Sequence, residues 1–107
     1  TDHSSISLRA INNDPQIILP ESILPKSNIM IEVELSAPEI TYIEIFYKCN
    51  KNIEYDPNFS VKEKIEAGRN KIQLYIPDDN IRDKIRLDPG VHPGIYTIHH
   101  IGIFQWT

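Results

Sequence analysis

The chain has 107 residues, the length of one domain, and we read residues 1–107 as a single unit. Hydrophobic residues make up 40% and charged residues 24%, which suits a packed globule and excludes a disordered chain. Eleven basic against fifteen acidic side chains leave a net charge of −4, so the basic excess that a nucleic-acid partner demands is missing.

Twenty isoleucines against three alanines favour sheet over helix, because a β-branched side chain suits a pleated surface. The eight prolines cut the chain into pieces that leave little room for a long helix. Ile6 to Ile11 opens with an extended pattern, and residues 12–27 form a connection around a short extended Ile17-Ile18-Leu19. Ile29, Ile31, Val33 and Leu35 then alternate with Met30, Glu32, Glu34 and Ser36, the clearest strand in the chain. Ala37-Pro38-Glu39 turns into a strand over 40–49, with Ile43, Ile45 and Tyr47 inward and Tyr42, Glu44, Phe46 and Lys48 outward. Ser60 to Gly68 fits two readings. Ser60 and Glu63 have capping-box spacing with Gly68 as a stop, but the run has few apolar anchors, and extended chain is the reading we adopt.

Asn70 to Pro77 alternates cleanly, with Ile72, Leu74 and Ile76 inward and Lys71, Gln73 and Tyr75 outward. A polar loop over 78–84 leads to the short strand Ile85-Arg86-Leu87. In Leu87-Asp88-Pro89-Gly90, Pro89 presets φ and Gly90 suits a type II turn; a positive φ is expected at Gly90 or Gly94, or both, with Asp88 bonded to nearby backbone. Pro93-Gly94 adds a second turn. Along the last strand Tyr96 and Ile98 share a face, and Ile101 and Ile103 resume it one residue late, so a bulge is expected at His99-His100. Seven to nine such strands predict an all-β fold, an antiparallel two-sheet β-sandwich of jelly-roll type. Ile31, Val33, Ile43, Ile45, Ile72, Leu74, Ile98 and Ile101 are its expected core.

Chemistry-bearing motifs are sparse. Cys49 is the only cysteine, so there is no disulfide framework or thiolate zinc site; it is either a half-buried bystander or a reactive thiol. Four scattered glycines make no phosphate loop, and no apolar run is long enough for a membrane span. No signal peptide is visible, and a cytoplasmic location is expected. Neighbouring His99 and His100 face opposite sides of a strand and do not suit one metal. Asp78, Asp79, Asp83 and Asp88 cluster in loop and turn, a weak pattern for calcium set against the ordinary use of Asp in turns. No cofactor and no catalytic set is expected of the domain itself. Tyr42, Phe46 and Tyr75 fall on outward faces, beside Glu44 and Gln73. If the strands 40–49 and 70–77 share a sheet, these five side chains form a stripe. Such a stripe suits sugar stacking, a protein or domain contact, or ordinary surface.

The ordered set Ser60-Val61, Glu66-Ala67-Gly68-Arg69-Asn70, Lys71 to Pro77, Arg86-Leu87-Asp88-Pro89-Gly90, Pro93-Gly94 and Ile101-Gly102-Ile103 resembles the β-sandwich accessory domains of bacterial surface-polysaccharide glycosyltransferases. Those domains look like carbohydrate-binding jelly rolls. The likeness covers about residues 59–103 and carries no catalytic residues over. It implies a non-catalytic domain that contacts polysaccharide or a neighbouring glycosyltransferase domain, while the parent chain does the transfer. The other reading is a ligand-free structural, protein-interaction or oligomerisation domain. The chain starts at Thr1 and stops at Thr107, which reads as a domain cut from a longer protein.

Overall fold

The computed structural model describes residues 3–11, 16–20, 22, 24–25, 27–48, 54–77, 81, 83–92 and 94–105, with only the backbone described over 3–11. Eight strands follow one another: β1 (His3–Ile11), β2 (Ile17–Leu19), β3 (Ile29–Ala37), β4 (Thr41–Phe46), β5 (Ser60–Ile65), β6 (Gly68–Tyr75), β7 (Ile85–Asp88) and β8 (Ile95–Gln105). The only helical element among the described residues with more than one member is a single 3₁₀ turn, Pro57–Phe59. The extended reading of residues 60–65 therefore holds.

The strands form two antiparallel sheets, ordered β1-β8-β3-β6 and β2-β7-β4-β5. This is the jelly-roll order of a β-sandwich. Only β4 and β5 are both consecutive in the chain and paired. Every other pairing joins strands from distant parts of the sequence, and most connections cross from one sheet to the other.

Alternation decides what each strand buries. In β3, Ile29, Ile31, Val33 and Leu35 point inward and are fully covered. They meet Ile98, Ile101 and Ile103 from β8 and Leu74 from β6. The second sheet answers with Leu19, Ile43, Ile45, Ile65, Ile85 and Leu87. Each such side chain contributes roughly 1.5–3 kcal/mol on burial. Of the expected core residues, Ile72 alone is only half-buried, because β6 is the edge of its sheet.

The bulge in β8 lies where the pattern put it. Glu34 pairs with His100 and Leu35 with Ile98, so His99 is the extra residue. The β1 ladder shifts at the same place, between Ile6 and Leu8. The bulge lets Ile98 and Ile101 both face the core, and it brings His99 Nε2 within 2.8 Å of Ser36 Oγ.

Of the two turn glycines after β7, Gly94 adopts the expected positive φ and Gly90 does not. Positive φ occurs at Gly68 (91°), Gly94 (141°) and Asn28 (53°), not at Gly90. Gly90 is needed for space: a Cβ there would overlap the Tyr96 ring. Tyr96 is fully buried, and its hydroxyl donates to the His92 carbonyl at 2.7 Å. Asp88 takes both carboxylate bonds from Arg86, Nε at 3.0 Å and Nη2 at 3.1 Å. At the same end of the sandwich, Val91 N donates to Thr41 Oγ1 at 3.0 Å and ties this turn to the start of β4.

Candidate functional site

A two-sheet sandwich offers two outer faces, and the five predicted binding residues divide between them. Tyr42, Glu44 and Phe46 lie on β4 in the second sheet, whereas Gln73 and Tyr75 lie on β6 in the first. The expected single stripe across strands 40–49 and 70–77 is therefore corrected to two separate half-sites. Alternation orients a side chain relative to the core, but it is the same for strands of either sheet.

On the second sheet, cross-strand register sets Ser60, Phe46 and Arg86 in one row and Lys62, Glu44 and Asp88 in the next. Phe46 points outward as expected yet is only 7% exposed. The Arg86 guanidinium carbon lies 4.5 Å from the centre of its ring, and Tyr55 meets it edge-on with centroids 6.4 Å apart. Tyr55 comes from the segment just before β5, between β4 and β5 in the chain. The hydroxyl of Tyr55 donates to the Lys84 carbonyl at 2.9 Å. Burial, followed by the nearby Asp83 carboxylate, raises the pKa of Tyr55 against a smaller opposing pull from Arg86.

Tyr55 also packs on Lys48, which is 8% exposed. Its ammonium sits 4.4 Å from the Tyr55 ring centre and 3.5 Å from Asp83 Oδ2. The Lys84 backbone N–H bonded to Asp83, and after it the Lys84 and Lys48 charges, hold that carboxyl below the ordinary aspartate range. Glu44 accepts from Ser60 Oγ at 2.7 Å, and Lys62 lies 5.3 Å from the Tyr42 ring. The groups on this face are thus engaged with one another, and Tyr42, 45% exposed, is the aromatic ring it offers to solvent.

Of the calcium candidates, Asp83 and Asp88 are engaged with Lys48, Lys84 and Arg86, while Asp78 and Asp79 lie outside the described residues, as does Cys49. Among the described residues no three His, Cys, Asp or Glu side chains gather as a metal site, and no helix is long and apolar enough to cross a membrane.

The outer face of the first sheet is more open. Pairing aligns Tyr75 with Met30 and Phe104, and Gln73 with Glu32 and Gly102. The next row holds Lys71, Glu34 and His100. Tyr75 is 52% exposed. Gln73 Nε2 donates to Glu32 Oε2 at 3.2 Å, and the Tyr75 hydroxyl donates to Gln73 Oε1 at 3.4 Å. Glu34 lies 3.9 Å from both Arg69 Nη2 and Lys71 Nζ. A Cβ at Gly102 would lie 2.8 Å from Phe104 Cε2 and 3.3 Å from His100 Cε1, so both side chains lean over that glycine.

Sequence reading missed Glu32, Met30 and Phe104 as partners of Gln73 and Tyr75. The signal was available in part, since Met30 and Glu32 occupy the outward positions of the cleanest strand. It also missed the Lys48–Tyr55–Arg86 cluster, whose members lie in three separate segments. No protein-family model matches the chain, and no curated protein matches it either.

Proposed function

We propose that this chain is a non-catalytic sandwich domain that contacts polysaccharide through the outer face of its first sheet. In this reading it is an accessory domain of a bacterial polysaccharide-synthesising glycosyltransferase, working in the cytoplasm, and the transfer chemistry belongs to a neighbouring domain. One observation carries the reading: the exposed Tyr75 ring stands beside a Gln73 amide held between Glu32 and the Tyr75 hydroxyl. A pyranose stacks its apolar face on such a ring while fixed amide and carboxylate groups meet its hydroxyls. Binding to so shallow and solvated a surface is weak. Titration of the labelled domain with polysaccharide fragments tests this. Amide shifts confined to β3, β6 and β8, weakened by Tyr75→Ala, are expected. Shifts that are absent, or that fall on β4 and β7 instead, refute it.

A second reading, contact with a neighbouring protein domain, is favoured by a different observation. Ile40, Val91 and Ile95 are all well exposed near the linked β3–β4 and β7–β8 turns. Exposed aliphatics mark protein contacts where they lie together. Serine at Ile40 and Val91 leaves glycan titration unchanged in the first reading and abolishes association with the adjoining domain in the second.

A further inference from the structure

The first sheet's outer face holds more than the two predicted residues. Tyr75, Met30 and Phe104 occupy one row across β6, β3 and β8, and Gln73, Glu32 and Gly102 occupy the row beside it. The first row is ring, thioether, ring. Its two rings stand two strand spacings apart, ~10 Å. The second row is polar at β6 and β3 and bare at Gly102, where the Phe104 ring leans over the backbone. β6 is the edge strand, so both rows run off the side of the sheet.

Charge narrows the occupant further. These six residues carry one formal charge, the Glu32 carboxylate, and that carboxylate accepts from the Gln73 amide. Lys71, in the adjoining row, and Arg69, one row further, both lie by Glu34. A chain bearing carboxylate or phosphate groups would meet the Glu32 charge with no cation among these six residues to offset it.

We infer that the two rows form one subsite for an internal stretch of an uncharged polysaccharide lying across the strands, with sugar rings on both Tyr75 and Phe104. The inference rests on the glycan reading above and goes beyond it in three respects: Phe104 is a second platform, the chain crosses β3, and Glu32 selects against acidic polymers.

The test is calorimetry and amide titration of the labelled domain with mannose, glucose and galactose, their neutral tetrasaccharides, and tetragalacturonate. A neutral tetrasaccharide is expected to bind at least about tenfold more tightly than its monosaccharide, because two platforms are engaged. Phe104→Ala and Tyr75→Ala are each expected to lose about tenfold. Tetragalacturonate is expected to bind the native domain poorly and the shape-preserving Glu32→Gln variant about as well as the neutral chain. Unchanged thermal melting of each variant confirms that it is folded. If Tyr75→Ala abolishes binding while Phe104→Ala does nothing, or if monosaccharide and tetrasaccharide bind alike, the extended subsite is wrong and the glycan reading stands. If tetragalacturonate binds the native domain as well as neutral chains do, the selection by Glu32 is wrong. Silence across the whole panel overturns both, and shifts on this face produced by a basic peptide instead would assign it to protein.

Discussion

Two glycines of this domain are required for opposite reasons. Gly68 has a φ of 91° with nothing within 4 Å of a built Cβ, so alanine there is strained in its backbone alone. Gly90 has ordinary backbone, but its Cβ would overlap the ring of the buried Tyr96, which has no room to retreat. Gly68→Ala should cost about 1 kcal/mol. Gly90→Ala should cost more, about 1–3 kcal/mol, as overpacking of a filled core does. Urea denaturation of the two variants checks the order, and the argument fails if Gly90→Ala is the milder change. Tyr96→Phe removes the bond to the His92 carbonyl and should cost about 1 kcal/mol in the same measurement.

Elements were legible to different depths. β3 and β6 could be read residue by residue, because a strand with one face on the core must alternate. The bulge in β8 was equally legible, since Ile98 and Ile101 can share a face only if one residue is spare. Which sheet each strand joins was not legible. That is why Tyr42 and Tyr75 looked like neighbours and are not, although both point outward as expected. Nor could alternation show that Phe46 is covered, because the covering groups, Tyr55 and Arg86, come from other segments. The bulge supplies a sharp test. Deleting His99 leaves Tyr96, Ile98, Ile101 and Ile103 in strict alternation and preserves every cross-strand partner on both sides. The shortened protein should keep its fold and lose no more than about 2 kcal/mol, chiefly the Ser36 bond and local twist. Deleting Glu32 from bulge-free β3 turns half of that strand inside out and should abolish cooperative unfolding. Amide spectra of the two deletions decide between these outcomes.

At the scale of the molecule, one core closed by two four-stranded sheets leaves little tolerance for charge inside. Val33→Asp puts an unpaired carboxylate against both sheets and should unfold the domain outright. Acid acts through the covered cluster beside β4 and β7. The carboxyl of Asp83 titrates lower when folded than when unfolded, so the native state binds the proton less readily. Its contribution is complete above the ordinary aspartate pKa and is lost as pH falls through the lower folded value. Asp83→Asn should flatten that acid limb of the stability curve while leaving Lys48 less well paired at neutral pH. Tyr55 runs the other way: its raised pKa keeps the hydroxyl protonated as a donor to Lys84, and its contribution fades as pH rises through the folded value. Denaturation across a pH series separates the two limbs.

The position of β8 has a consequence for how the protein is made. It is the last of the described strands, yet it lies inside the first sheet, between β1 and β3, and among the described residues it is the only strand with which β1 pairs. During synthesis β1 emerges first and waits for its partner until nearly the whole domain has left the ribosome. Only the β4–β5 hairpin can form early from neighbours in sequence. Folding should therefore be slow for a chain this short, on the order of milliseconds to seconds, as sheets built from distant segments require. A chain halted after Gly94 should leave β1 unpaired, with β3 and β6 reduced to an isolated ribbon, and such a nascent chain should remain open to protease until residues 95–105 arrive.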